Sequence, residues 1–490
     1  MRRTSARQAN ARRWRGSRDG SPRDSPTMKK SNSRSFLFTL SAIAALAPSL
    51  SFGADGYFLT GYGPRQRALG GAGVADSRDA MAMSINPAGI VGLDRMFQFG
   101  LGASLPERGY STVGQPVVLA PGDVRSGRPI FPVPNGAYVQ PIDAESAWGV
   151  ANYGNGGLNT SYDFGHFKPP VKAGPGGVIT VSPSFGGVLG GGWAGLDLQQ
   201  SFVSATYARR FGPITIGFSP TIAVQMLNVQ GLKILSPYSS NMYNFSDMAY
   251  DWSVGGGFRI GLEWRATDEL RFGFAGTTPM FMSKFDKYRG LLADQGSFDI
   301  PANVIAGVAY DVLPNLTLMA DWRHIFYSAT SVGNQSFPIW YGSFGSSGGL
   351  GFDWRDTDSA SLGAEWRATS KLALRVGYHY STVPGRERAA TLAALAPAVA
   401  AHSVTGGFGY QLTKNSSIDF AAIYDFKNSV SYFENAPFVG RAFSPAIPIN
   451  LFPHYNTNAV ITAWGRATQF TVGYNYKWDA GDTSWIPSHF

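Results

Sequence analysis

The residue types that do bond-making chemistry are thinly spread in this chain. No cysteine occurs among its 490 residues, so disulfides, thiolate metal sites and cysteine nucleophiles are excluded. The six histidines, His166, His324, His379, His402, His454 and His489, fall at no metal-ligand spacing, and no metal site is expected. The stretch GGAGVAD at 70–76 is only loosely like a dinucleotide-binding turn, because no strand leads into it. No nucleophile elbow is present. An enzyme and a cofactor are therefore not expected. Two features remain. Arg259, Arg323, Arg375 and Lys477 fall on the polar side of alternating stretches, together with Glu263, Asp321, Glu365 and Asp419. They are either solvated or paired with one another, or free to attract an anion. The second is Asn86-Pro87-Ala88 within MAMSINPAGIVGL (81–93), a turn signature placed just ahead of a long alternating region.

The elements that must carry these residues are strands. In 468–478, Phe470, Val472, Tyr474, Tyr476 and Trp478 point one way, and Thr471, Gly473, Asn475 and Lys477 the other. The same alternation runs through 253–265 and 371–380, with one face apolar and aromatic and the other polar or glycine. Successive side chains of a strand point to opposite faces. Fourteen such segments are expected near 96–105, 132–142, 146–155, 198–211, 213–229, 251–265, 270–281, 302–313, 315–327, 358–369, 371–382, 402–413, 416–428 and 466–478. Short turns alternate with long connectors, as in an outer-membrane barrel. Trp264, Tyr310, Trp366, Tyr410 and Trp478 lie near the short turns, where an aromatic girdle would sit. A soluble sandwich would need a second sheet to cover the apolar face, and the chain supplies none. The expected fold is all-β: a 14-stranded antiparallel transmembrane β-barrel (96–478). In a membrane, a closed barrel is the sheet that satisfies every backbone group.

Both ends fall outside this pattern. Residues 1–53 hold 11 of the 41 basic residues and 2 of the 32 acidic ones, leaving a balanced 30 of each in the body. The net charge of +9 therefore does not indicate a nucleic-acid partner. Met28-Lys29-Lys30 followed by the apolar run 36–50 reads as an export signal, too short to span a bilayer, with cleavage after Gly53 or Ala54. Translation is expected to start at Met28, with 1–27 an upstream extension. Residues 54–95 are rich in Gly and Ala and lack alternation, so they form either a periplasmic appendage or a plug in the lumen. A wide barrel has to be filled or to conduct water. Residues 479–490 form a tail beyond the last strand.

Asp55-Gly56-Tyr57, ALGGAGVADSRDAMAMSINPAGI and Leu93-Asp94-Arg95 resemble the N-terminal hatch of the FadL/TodX outer-membrane transporters of long-chain fatty acids and aromatic hydrocarbons. PVPNGAYVQPIDAESAWGVANYGNGGLNTSYDF (132–164), SFDIPANVIAGVAYDVLPNLTLMADW (297–322), SLGAEWRATSKLALRVGYHYSTVPG (361–385), TGGFGYQLTKNSSIDFAAIYDF (405–426) and FTVGYNYKW (470–478) extend the resemblance over nearly the whole mature chain. It implies passive transport across the outer membrane of a Gram-negative bacterium. A hydrophobic ligand would be captured in an extracellular groove, passed to a lumen pocket and released sideways through a gap in the third strand. On that reading Asn86, Pro87 and Ala88 form the hatch element facing the gap, and Gly149 and Gly154 belong to the opening strand. Tyr57 and Phe58 contact ligand in the lumen, and Arg259, Arg323 and Arg375 receive a carboxylate headgroup. Leu235, Phe245, Phe281 and Phe285 belong to a greasy extracellular groove. The expected partners are a hydrophobic small molecule, outer-membrane lipid with lipopolysaccharide, and the barrel-assembly machinery during biogenesis. The alternative functions are a water-filled diffusion porin, which would conduct ions, and an outer-membrane hydrolase, which would need a catalytic constellation not visible here. The tail departs from the family's usual ending, so either Trp478 or Phe490 closes the last strand.

Overall fold

The structure, a computed structural model, describes residues 55–478 apart from 115, 117, 165–170, 174–178, 182–188, 190–191, 233–234, 337–338, 340–341, 387–388 and 435–458. The expected export signal and the 479–490 tail lie outside the described residues. Fourteen antiparallel strands build the wall: β1 (Met96–Val113), β2 (Phe131–Pro141), β3 (Ser146–Asn159), β4 (Gly192–Phe211), β5 (Ile214–Gln230), β6 (Asp251–Arg265), β7 (Leu270–Thr277), β8 (Asn303–Leu313), β9 (Leu316–Ile325), β10 (Thr357–Arg367), β11 (Leu372–Ser381), β12 (His402–Gln411), β13 (Ser416–Phe433) and β14 (Val460–Lys477). Each pairs with its neighbour in sequence. The sheet closes where β1 meets β14, from Met96 opposite Lys477 to Val113 opposite Val460. Closure leaves no open edge between first and last strands.

Alternation is what makes this wall two-sided. On β11, Leu374, Val376, Tyr378 and Tyr380 face outward, while Ala373, Arg375, His379 and Ser381 are buried inside. Trp264, Tyr310, Trp366 and Tyr410 are all exposed on the outer face at the short-turn end, where indole and phenol rings suit the membrane interface. At the long-loop end β1, β4, β13 and β14 run several residues beyond the expected segments.

Residues 55–93 pack against the inward faces of the wall strands, and Asp94 and Arg95 are exposed at the rim. The segment forms one helical turn, α1 (Pro64–Ala68), and two 3₁₀ turns, Ala80–Ser84 and Pro87–Ile90. These pack on inward faces around the wall. Glycine makes that packing possible. A Cβ on Gly217 of β5 would overlap Pro87, and one on Gly261 of β6 would overlap Asn86. The same holds for Gly273 and Val74, Gly377 and Leu69–Gly70, Gly407 and Ala68, and Gly473 and Pro64. Inward glycines on successive strands let a backbone approach the sheet closely. The glycines of the polar face thus form a seat for the N-terminal segment.

Candidate functional site

Charge fixes the lower half of the N-terminal segment to the wall. The Asp76 carboxylate is 2.5 Å from Arg65, 2.9 Å from Arg78 and 2.9 Å from Arg271 of β7. Arg65 also contacts Glu365 of β10 at 2.9 Å. Glu365 meets Arg375 of β11 at 2.8 Å, and Arg375 meets Asp419 of β13 at 2.5 Å. Burial alone would raise the Asp76 pKa, but Arg78, Arg65 and Arg271 outweigh it and hold the carboxyl well below the usual range. A second clasp holds the segment's start. Asp55 lies 3.1 Å from Arg323 of β9 and 2.8 Å from Nε2 of His379, whose Nδ1 is 2.9 Å from Ser361 Oγ. Burial would push the Asp55 carboxyl up, but His379 and Arg323 bring it below its ordinary value. Ser361, His379 and Asp55 are aligned like a hydrolase relay. Arg323 shares the carboxylate, however, and the small adjoining pocket is closed by Thr60, Gly61 and Gly71 of the segment against wall residues such as Ile305 and Ser359, so the arrangement is a clasp.

The three arginines considered as carboxylate receptors are all engaged. Arg375 is held between Glu365 and Asp419, and Arg323 by Asp55 and the Leu59 carbonyl. Arg259 donates to the Met83 and Ser84 carbonyls, to Thr277 and to the Tyr153 hydroxyl. Lys477 pairs with Asp94 at 3.1 Å on the exposed rim.

The wall is interrupted between β2 and β3. Their ladder runs from Pro141 opposite Ala147 to Asn135 opposite Tyr153 and stops there. Beyond it β2 continues through Pro134 and Pro132, which have no N–H to offer a neighbour. β3 turns away with a register shift between Gly154 and Gly156 on its β4 side. Its freed edge is taken by the start of the N-terminal segment. Leu59 N–H donates to the Asn155 carbonyl at 3.1 Å, and Gly157 N–H donates to the Tyr57 carbonyl at 3.0 Å. Gly156 faces Phe58 across this pairing with φ +154°, and a Cβ there would overlap the Tyr57 carbonyl. Tyr57 and Phe58 stack at 5.4 Å, and Tyr57 lies 5.2 Å from Tyr327, 5.8 Å from Trp354 and 6.2 Å from Phe298.

An apolar cavity adjoins this aromatic group at the long-loop end. Leu158 of β3, Leu196 and Leu198 of β4, and Leu227 and Val229 of β5 line it, with Leu235, Leu292, Phe298 and Phe344 from the loops. Ser297 and Ser331 are its only polar residues among the described ones, and none of those is charged. A different, open cavity lies at the short-turn end. It is lined by Asp76, Arg78, Glu263, Arg265, Arg271, Asp311 and Arg367.

Several expected positions change on this geometry. Asn86 Nδ2 donates to the Val74 carbonyl at 2.7 Å and to the Leu262 carbonyl of β6 at 3.1 Å, while its Oδ1 caps Ala88 N–H at 3.0 Å. Asn86-Pro87-Ala88 therefore seats on the β5 and β6 glycines, and it is Tyr57–Leu59 that meets the departing edge of β3. Gly154 marks the last residue before the register shift. Gly149 sits lower, within regular pairing to Val139 and Thr206, and is packed by Met83. Leu235 lines the apolar cavity, and Phe245 packs edge-on against Phe344 of its lining at 5.4 Å. Phe285 is buried within the loop core. Phe281 does not join them. It pairs with Gly256 on the wall, and strand alternation turns it outward, 68% exposed, while Met280 faces in. Tyr327, Trp354 and the Leu cluster at the strand tops were not singled out from the sequence. The recurrence of leucine at inward positions 196 and 198 was a usable signal.

A closed 14-stranded barrel with an outward apolar band is the architecture of a Gram-negative outer-membrane protein. The family described as outer membrane protein transport protein (OMPP1/FadL/TodX) matches residues 40–478, and the chain belongs to it. The fold is similar to the P. putida toluene transporter TodX, with 17% identity and a TM-score of 0.58 over 86% of this chain and 99% of that one. It is also similar to a Pseudomonas aeruginosa FadL homologue (16%, TM-score 0.60, 86% and 99%) and to the Ralstonia pickettii toluene transporter TbuX (19%, TM-score 0.55, 86% and 99%). At these identities the likeness speaks for the fold. No curated protein sequence matches the chain.

Proposed function

We propose that this protein carries neutral hydrophobic compounds passively across the outer membrane. A ligand enters the apolar cavity at the long-loop end, passes to the aromatic group around Tyr57, and leaves sideways where β3 departs from β2. The observation that carries this reading is the adjacency of the three parts. Leu158 lines the cavity and belongs to the stretch of β3 that has left β2, and Phe298 lines the cavity and approaches Tyr57. Lateral exit suits such a ligand, since burial in the bilayer is favourable and the short-turn cavity below is charged. A hydrocarbon fits better than a fatty acid, because the described cavity lining offers no cation and the lumen arginines are engaged. Two of the solved relatives are themselves named as toluene transporters.

The test is uptake of labelled toluene and oleate into cells lacking their own transporter, with and without this protein. Saturable stimulation of toluene uptake, exceeding that of oleate, is expected. Stimulation of neither would refute transport, and preference for oleate would refute the neutral ligand class.

A further inference from the structure

The outward face of β13, β14 and β1 ends at the long-loop side in a cluster of cations that transport does not use. On β1 the outward residues Phe97, Phe99, Leu101 and Leu105 are followed by Glu107; on β14, Tyr474, Val472 and Phe470 lead to Arg466. From Phe97 to Glu107 is about the nine to eleven residues that a tilted strand needs to cross the hydrocarbon. Glu107 and Arg466 are directly paired and 2.8 Å apart, so this row marks the outer-leaflet boundary.

A bulge enriches that row in positive charge. The β13–β14 ladder shifts between Asp425 and Asn428, so Phe426 and Lys427 together oppose Arg466 and both are exposed. Bulges of this kind re-aim a side chain. The Lys427 ammonium stands 4.9 Å from the Trp464 ring centroid, and the Arg125 guanidinium 5.6 Å from the same ring. Arg125 reaches this place because the short strand Asp123–Arg125 pairs with β1 at Gly109. Two cations thus flank one indole, and Arg466 stands on the same outward row. Glu107 answers Arg466, and Asp123 lies 3.9 Å from Arg125, but Lys427 has no acidic partner among the described residues. The adjoining segments 114–122 and 435–458 contain no Asp or Glu.

We propose that this patch binds the phosphorylated sugar headgroup of the outer-leaflet glycolipid. Arg125, Lys427 and Arg466 would contact its phosphates, and its acyl chains would lie along Leu101, Leu105 and Phe470 below. The depth of the row, the excess of positive charge and the apolar surface beneath it together match a membrane-anchored anion. The site rests on the barrel's placement in the membrane and stands apart from the transport reading.

The test uses the full chain, stripped of native glycolipid and placed in phosphatidylcholine nanodiscs. Retention of labelled diphosphoryl lipid A is compared with that of its dephosphorylated form. The triple variant Arg125→Ser/Lys427→Gln/Arg466→Gln is expected to retain the diphosphorylated lipid at least about tenfold less well, since each basic residue near an anionic surface contributes measurably to binding. Glu107→Gln is expected to bind it more tightly, which distinguishes charge recognition from loss of fold. Equal retention of the two lipids by the unsubstituted protein, or unchanged retention in the triple variant, would overturn the proposal. Displacement by millimolar inorganic phosphate would assign the cluster to a soluble anion and overturn the lipid. Folding is checked by the heat-modifiable gel shift, and if the triple variant fails it, Lys427→Gln and Glu107→Gln are read in its place with the same opposite signs.

Discussion

Anchoring of the N-terminal segment converges on Asp76. Its carboxylate is the shared partner of Arg65, Arg78 and Arg271, and Arg65 passes the connection on to Glu365. Breaking a buried pair from one side leaves charge unbalanced, at a cost of about 3–5 kcal/mol. In Asp76→Asn three guanidiniums would face one another without their common anion. Because the folded pKa is depressed, the group's stabilisation is fully present above the unfolded value of about 3.9 and is lost as pH falls through the folded value. Protection factors of the amides at 60–90, which are exchange rates divided by the intrinsic rate at each pH, should therefore be unchanged in the unsubstituted protein between about pH 7 and pH 5. They should be lower in Asp76→Asn at both, while the wall amides stay protected. A protection factor in the unsubstituted protein that falls on going from neutral pH to pH 5 would contradict this anchor. Asp76 was legible in the sequence only as one acid of a Gly-rich stretch. Its partner Arg271 is 195 residues away, and no local pattern announces a pairing at that range.

At the scale of elements, the strands were the readable part. All fourteen expected segments are strands, because lipid outside and polar lumen inside impose a period of two on each. The reading fell short where that contrast ends. The upper part of β4, from Ala194 to Phe202, is buried on both faces, so its alternation vanishes and the expected start came late. The seat of Asn86-Pro87-Ala88 was not legible for a related reason: it is set by Gly217 and Gly261, and no local signal points to them. The break beside β3 was foreshadowed by its glycines, but what fills it was not. Leu59 and Asn155 lie opposite each other across the Tyr57–Leu59 pairing, and the chain has no cysteine of its own. A Leu59→Cys/Asn155→Cys disulfide should therefore lock the segment onto β3. Under oxidising conditions the locked protein should keep its folded gel mobility and lose hydrocarbon uptake, and a reductant should restore uptake. If the oxidised protein transported as well as the reduced one, release at this edge would not require the segment to move.

For the molecule as a whole, the decisive contrast is between a filled and an open lumen. A barrel of this strand number encloses space that either conducts or is occupied. Here residues 55–93 occupy it, seated on inward glycines and held by two separate clasps, Asp55 with His379 and Arg323, and Asp76 with its arginines. An inward glycine on one strand is ordinary. The recurrence of such glycines from β5 round to β14 gives a smooth seat that a water-filled porin would have no reason to build. In planar bilayers the protein should accordingly pass little ionic current. Loosening both clasps at once, in Asp55→Asn/Asp76→Asn, should produce intermittent large conductance steps as the segment leaves its seat, with the barrel still folded. Because the clasps hold different parts of the segment, its start at Asp55 and its middle at Asp76, each single variant should stay mostly closed, and the double variant should open far more often than the two singles combined. Steady high conductance in the unsubstituted protein would instead identify a diffusion pore and remove the need for lateral release.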